Sequence, residues 1–371
     1  MSTPFNATAE RIEQVCRAFR IEGSFIGSEV ITRGNINTTV RIDFEINGNK
    51  KSFLLQRVNT YVFTDPLKIM NNIHLVTTHI RNKNTNPNKI NLHFHHCANG
   101  DNFYFDEDGE FWRMINYIDA LSFDLCDDPE ILQGAGYAFG EFQTALEDFD
   151  ASLLYETIPD FHNTPKRYET FLKAVERDDR GRVHEVLPEI EFTKKHAKLA
   201  GRLIELKNEG KLPLRVTHND TKSNNVLFDR ATGTPLTVID LDTVMPGLVA
   251  FDFGDAIRSA GNSTEEDETD LSKVYLDVGK FSAFAEGFLK ATAGHITEAE
   301  IDSLALGSFV LTFECGMRFL TDYLEGDKYF RTAYDGHNLV RAKCQYKLAE
   351  DMLNKMEEME QIVRNIASKY H

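Results

Sequence analysis

Residues 215–228 read RVTHNDTKSNNVLF, and residues 236–243 read LTVIDLDT. Between them lies RATGTP, a turn-forming segment. Two short β-branched runs around such a turn predict a hairpin centred on Thr232-Gly233. Counting outward from that centre sets Asn225 opposite Asp240 at the open end of the ribbon. Asp220 precedes Asn225 by five residues, on the loop that enters the first strand, with His218 just upstream. An acid, an amide and a second acid are thus expected to converge at one end of a hairpin.

An amide oxygen beside a carboxylate makes a pair of hard oxygen donors. Such a pair suits Mg²⁺ carrying nucleotide phosphates, because Mg²⁺ keeps several waters and takes few protein ligands. An acid ahead of the amide is placed to accept a proton from an attacking hydroxyl. Kinase-type phosphoryl transfer divides its labour in this way, with a loop acid as base and a later Asn and Asp on the metal. Taken alone, the H-x-D-x-x-x-x-N spacing is a weak signal, and a capped turn with a satisfied loop amide would produce it. The hairpin of matching length and the second acid make the combination specific.

The remaining composition fits this chemistry. The chain has 371 residues, 42% hydrophobic and 27% charged, enough for one large domain or two lobes with cores of their own. A net charge of −17 argues against nucleic acid and anionic membrane surfaces as partners. The five cysteines are widely spaced with no C-x-x-C, so reduced thiols and a cytoplasmic setting are expected. The first residues carry no basic segment followed by an apolar one, and no stretch reads as a membrane span.

Organisation changes along the chain. Residues 28–59 hold β-branched runs around turns at Arg33-Gly34-Asn35 and Asn47-Gly48-Asn49. Leu67, Met70, Ile73, Val76 and Ile80 have helical spacing. A further hairpin is expected from NLHFHHC and NFYFDEDGEFWRMINYI, turning at Asp106 to Gly109. Beyond Asp119 helical patterns dominate, including a capping box at Thr297 and Glu300. The expected division is a nucleotide-binding lobe at 1–113, a connection at 114–118, and a helical catalytic and sugar-binding lobe at 119–371.

HNDTKSNNVLFD followed by VIDLDTVMPGLVAFDFGDAIR resembles the aminoglycoside phosphotransferase and choline kinase superfamily. Within it, RGNINTT, NYI, AFGEFQ, ECGMRFLTDYLEGDKYF and HNLVR extend the likeness, over nearly the whole chain, to the N-acetylhexosamine 1-kinases. The resemblance implies a bilobal α+β fold of the protein-kinase type, with a small β-rich lobe and a larger helical one. It implies ATP and Mg²⁺ as cofactors and the C1 hydroxyl of GlcNAc or GalNAc as acceptor. Asp220 would be the base, and Asn225 and Asp240 would hold the metal. Asp242, expected on the same strand face as Asp240, would bind a second metal or a sugar hydroxyl. His218 and Asp252 would support the loop. Arg33, Gly34, Asn35, Asn37, Thr38 and Gln56 would position the nucleotide phosphates, and Asn116 and Ile118 the adenine. Arg318 and Tyr329 would line the sugar pocket. The expected partners are a small-molecule sugar and ATP, with no nucleic acid and no membrane; the oligomeric state stays open, a monomer being favoured. Other readings stay open: a kinase of a different sugar, of an aminoglycoside or of choline, or a nucleotide sensor without catalysis.

Several features need separate weighing. In FLLQRVN, Gln56 or Arg57 stands where many superfamily members carry a strand Lys. Arg318 lies four residues from both Glu314 and Asp322, so an ion ladder along one helix face competes with the sugar role. His93, His95 and Cys97 at period two suggest a zinc site only if a fourth ligand exists. The acidic run 263–270 reads as a solvated loop. Met352, Met356, Met359, Val363 and Ile366 read as a helix packed on its own lobe rather than a coiled coil.

Overall fold

The computed structural model describes residues 8–31, 36–84, 90–124 and 126–370. Two compact units divide between Ala120 and Leu121.

The first unit opens with α1 (Ala9–Cys16), capped by the Thr8 side chain. Sequence reading overlooked this helix, although Ile12, Val15 and Cys16 mark its buried face. Strands β1 (Ser24–Ile31), β2 (Thr38–Ile46) and β3 (Asn49–Arg57) follow, then α2 (Pro66–Lys83), β4 (Tyr104–Phe105) and β5 (Phe111–Asn116). They form an antiparallel sheet in the order β1-β2-β3-β5-β4. The Asn47-Gly48 turn has positive φ at both residues (52° and 76°), which suits a two-residue hairpin. Alternation gives the sheet two unlike faces. Val40, Leu55 and Met114 lie in register and pack with α1 in an apolar core. Thr39, Gln56 and Arg113 lie in register on the other face.

Two expectations need correction here. NLHFHHC forms isolated bridges, Phe94 to Ile115 and Cys97 to Phe19, rather than a strand, although the His93 and His95 rings still meet at 4.7 Å. His93 N–H and C=O are taken by Asn116, and an Asn side chain at the strand end substitutes for a ladder partner. Met114 to Asn116, read as connection, are the last residues of β5.

The second unit is mainly helical: α3 (Pro129–Ala145), α4 (Thr164–Arg177), α5 (Leu187–Ala200) and α6 (Arg202–Asn208) come first. Four short strands follow: β6 (Arg215–Thr217), β7 (Val226–Phe228), β8 (Pro235–Val238) and β9 (Met245–Gly247). Then come α7 (Val249–Ala260), α8 (Val278–Ala291), α9 (Glu298–Glu325), α10 (His337–Asn354) and α11 (Met356–Tyr370). The strands pair β7 with β8 and β6 with β9. α9 is long and apolar enough by composition to cross a membrane, yet 78% of its apolar window is buried within the unit. It is the core helix, and α7, α10, α4 and α11 pack around it. Met359, Val363 and Ile366 of α11 are buried, with α9 and α8 as neighbours.

Glycines set how closely these helices approach. A Cβ on Gly254 of α7 would run into the Gly307 carbonyl of α9, and one on Gly307 would meet the Ala250 carbonyl. Gly254→Ala should therefore lower stability by about 1–3 kcal/mol through overpacking. Equilibrium urea unfolding checks this, and an unchanged midpoint would show that α7 and α9 have slack.

Candidate active site

α7 is the template on which the loop after β6 is shaped. Asp252, in its first turn, is 1% exposed and accepts the His218 N–H at 2.9 Å and the Asn219 N–H at 2.7 Å. Gln143 of α3 donates a third bond to it at 2.7 Å. One turn on, Asp255 accepts the Thr221 N–H at 2.9 Å, and Thr221 Oγ1 donates to the Asp252 carbonyl. Positions i and i+3 share a helix face, so two acids hold alternate parts of one loop. Burial pushes the Asp252 carboxyl up, against the pull of His218 and the two main-chain donors. Burial also opposes charge on Asp255, but Arg258, His162 and Lys222 outweigh it and leave its carboxyl below the usual range.

The loop's own residues complete the shape. Asn219 has φ of 63°, and its side chain bonds Thr217 and the Thr243 carbonyl. His218 is fully buried. Its Nε2 donates to the Ile239 carbonyl at 2.9 Å, so Nδ1 accepts the Asp220 N–H at 3.3 Å. These two bonds hold the ring in place, so its work is positional.

Asp220 and Asn225 are brought together. Asn225 Nδ2 donates to the Asp220 carbonyl at 2.8 Å and to Asp220 Oδ2 at 3.2 Å. With both amide hydrogens directed at Asp220, Asn225 Oδ1 keeps its acceptor capacity. Lys222 Nζ lies 3.0 Å from Asp220 Oδ1. Its pKa is pushed up to about 12, first by the charge of Asp220 and further by Asp255 and Asp240. Sequence reading missed Lys222 and Asp255. The signals were available: a Lys two residues after the loop acid, and an acid three residues after Asp252.

The second acid arrives differently from expectation. The hairpin register is one residue away from that expectation, with Val226 facing Val238 and Leu227 facing Thr237. Asn225 accepts the Ile239 N–H at 2.9 Å, and Asp240 comes just past this contact rather than opposite Asn225. Asp240 takes a left-handed conformation (φ 61°, ψ 60°) and is exposed. Asp242 does not share its face. The strand ends at Val238, residues 241–243 form a 3-10 turn, and Asp242 is 3% exposed. Among the described residues no cluster of three or more His, Cys, Asp or Glu side chains is arranged for a metal ion. The oxygen set here is one amide and one carboxylate.

A second locus lies on α9 and the segment after it. The ion ladder is overturned. Glu314 accepts His162 Nδ1–H at 2.9 Å and Thr164 Oγ1–H at 2.6 Å. Asp322 accepts the N–H groups of Lys328, Tyr329 and Phe330 and the Asn338 amide. Both acids are occupied by these donors, and Asp322 thereby fastens the loop carrying Tyr329. Arg318 instead sits among aromatic rings, 5.4 Å from Phe161, 5.8 Å from Tyr329 and 5.4 Å from Phe330. Arg167 of α4 lies close enough that burial and the Arg318 charge both lower its pKa.

In the first unit, Arg33, Gly34 and Asn35 lie outside the described residues. Asn37 Oδ1 accepts the Asn59 N–H at 3.0 Å. Thr38 begins β2 opposite Arg57. Gln56 bonds Thr39 Oγ1 and Arg113. Asn116 ends β5, and Ile118 follows half-buried. Of the discounted zinc set, burial holds His95 down to about 4, and Cys97 Sγ donates to the Phe103 carbonyl.

A model described as the phosphotransferase enzyme family matches residues 93–287, just over half of the chain and including every loop residue described above. The chain belongs to this phosphotransferase family. Its fold is shared with an aminoglycoside phosphotransferase from Alicyclobacillus acidocaldarius (TM-score 0.67, 13% identity, 98% of each chain covered). It is shared also with choline kinase from Cryptosporidium parvum (TM-score 0.56, 15% identity, 97% and 98% covered). Spectinomycin phosphotransferase in complex with ADP and spectinomycin is a third (TM-score 0.54, 14% identity, 96% and 100% covered). The α+β architecture is thus that of the kinase-like phosphotransferases.

The buried pair beside Arg318 gives a pH test. Burial opposes ionisation of Glu314, but His162 and Thr164 outweigh it and hold its carboxyl below its ordinary value of 4.5. A depressed folded pKa stabilises the fold above the unfolded value, and that contribution is lost as pH falls through the folded value. The urea midpoint of the wild-type chain should fall below about pH 4.5, and Glu314→Gln should flatten part of that fall. Equal slopes in the two proteins would remove Glu314 from the acid response.

Proposed function

We propose that this phosphotransferase is an anomeric kinase that transfers the γ-phosphate of ATP to the C1 hydroxyl of an N-acetylhexosamine. The observation that carries the reading is the joined Asp220–Asn225 pair, with Lys222 bound to the acid and Asp240 just beyond the strand end.

Asn225 Oδ1 and the exposed Asp240 carboxylate would hold Mg²⁺, which supplies charge neutralisation on the nucleotide phosphates. In this reading Asp220 accepts the C1 hydroxyl proton as that oxygen bonds to the γ-phosphorus. The bond from the γ-phosphorus to the β-bridging oxygen breaks, and ADP leaves with the electron pair. An anomeric hydroxyl is more acidic than an ordinary alcohol, so a carboxylate suffices as base. Lys222, 3.0 Å from Asp220 Oδ1, offers its charge to the phosphoryl group in transit. His218 and Asp252 act through the loop by fixing where Asp220 points.

Arg318 with Phe161, Tyr329 and Phe330 would receive the sugar, the rings against its apolar faces and the guanidinium against an oxygen substituent. A cation at this locus disfavours choline and other cationic acceptors. Arg33, Gly34, Asn35, Asn37, Thr38 and Gln56 remain the proposed phosphate-side residues, and Asn116 and Ile118 the adenine-side ones. Asp242, being buried, fits a supporting role better than a metal ligand.

A coupled ADP-release assay over a panel of sugars, aminoglycosides and choline tests the proposal. Turnover with GlcNAc or GalNAc is expected, and turnover only with a cationic acceptor would overturn the substrate assignment. Asp220→Asn should lower kcat by roughly 10²–10⁴-fold with little change in nucleotide affinity, as loss of a general base does. A rate close to wild type would dismiss Asp220 as base. Arg318→Ala should raise KM for the sugar while leaving KM for ATP in place. Equal rises in both would mean that Arg318 is only structural.

A further inference from the structure

The acidic run at 263–270, expected as a solvated loop, is a fastened strap. Ser263 Oγ–H donates to the Lys273 carbonyl at 2.7 Å, and the Ser263 N–H donates to the Tyr275 carbonyl at 3.1 Å. Cys344 Sγ–H of α10 donates to the Glu265 carbonyl, and His337 Nε2 of the same helix lies 3.0 Å from Asp267 Oδ2. Between these anchors Glu266 meets two guanidinium groups. Its Oε1 accepts Arg258 Nη1–H at 2.8 Å, and Arg341 Nε lies 3.9 Å from its Oε2.

Arg258 connects this strap to the loop of Asp220. It is 9% exposed and Asp255 is 6% exposed, whereas the Glu266 side chain is 40% exposed. The guanidinium thus divides its donors between a buried acid and a surface one. Nε–H donates to Asp255 Oδ1 at 2.9 Å, while Asp255 Oδ2 accepts the Thr221 N–H at 2.9 Å. One oxygen of Asp255 serves α7, and the other serves the residue directly after Asp220.

That division depends on Glu266. A guanidinium matches a single carboxylate best through a bidentate fork, two N–H groups on two oxygens. Removing one acid from a buried ion cluster leaves charge uncompensated, which is costly. Without Glu266, Arg258 gains most by taking both oxygens of Asp255. Oδ2 would then leave the Thr221 N–H, a buried donor, and the loop would shift to find it another acceptor.

We propose that Glu266 is a positioning residue for phosphoryl transfer, which occupies the far end of Arg258 so that Asp255 Oδ2 stays on the Thr221 N–H and Asp220 stays in place. It acts through three successive contacts and touches no reacting atom. The proposal rests on the phosphotransfer reading, in which Asp220 is the base.

Steady-state kinetics on the full chain tests it, with ATP and whichever sugar, aminoglycoside or choline turns over fastest. Glu266→Ala should lower kcat by roughly 10- to 100-fold, the scale of a small misplacement of a reacting group, with KM for ATP unchanged. Glu266→Asp, which keeps a carboxylate on the strap, should recover most of that rate. Glu265→Ala removes an equal charge next door and should match wild type. Adding Glu266→Ala to Asp255→Asn should cost little beyond Asp255→Asn alone, because both act through one contact. An unchanged kcat in Glu266→Ala overturns the proposal. An equal loss in Glu265→Ala overturns it too, since only the net charge of the strap would then matter. So does a rise in KM for ATP that matches the fall in kcat, which marks a general loosening of the fold. If the wild-type chain turns over no acceptor, the phosphotransfer reading fails and takes this proposal with it.

Discussion

The arrangement of the loop depends on one carboxylate. Asp252 takes two successive main-chain N–H groups, those of His218 and Asn219, which are buried just past the end of β6. Without an acceptor there, two buried donors would be left unsatisfied, each at a cost of about 1–3 kcal/mol. With it, the chain turns sharply through a left-handed Asn219 and delivers Asp220 to the surface, one residue on. Asp255 repeats the device for Thr221. A helix, the most rigid element available, thus sets the coordinates of a loop that has little secondary structure of its own.

The same logic of buried acids recurs away from the loop. Glu314 ties α9 to His162 and Thr164 at the start of α4. Asp322 gathers three consecutive N–H groups after the end of α9. These bonds consume the two carboxylates nearest Arg318 along its helix and leave it to the aromatic rings. A guanidinium packed against rings keeps its donors directed outward. What looks in one dimension like an ion ladder is in three dimensions a set of fastenings that leaves Arg318 among aromatic rings.

The first unit solves a different problem. Its sheet buries one face against α1 and carries on the other a polar row whose charge lies deepest. Cross-strand register makes this possible, since residues on different strands meet only when the pleat puts them on one face. Arg113 is separated from Gln56 by 57 positions, and α2 with the segment after it intervenes.

Much of this was legible in the chain itself. The loop acid, the amide five residues on, the hairpin turn and the capping box of α9 are local features, and local spacing carries them. Thr8 and the apolar spacing of α1 carried that helix as well, and it went unread. Tertiary structure decided the rest. The register of β7 on β8 set Asp240 one residue past the position opposite Asn225, and a turn rather than a strand separated Asp242 from it. Burial gave Glu314 to partners far away in sequence and Asp322 to the loop after α9, and register joined Gln56 to Arg113. Spacing along a chain fixes which groups are neighbours on one element. Which groups meet across elements depends on register, on bulges and on competition among buried polar groups for partners, and those are properties of the folded molecule alone.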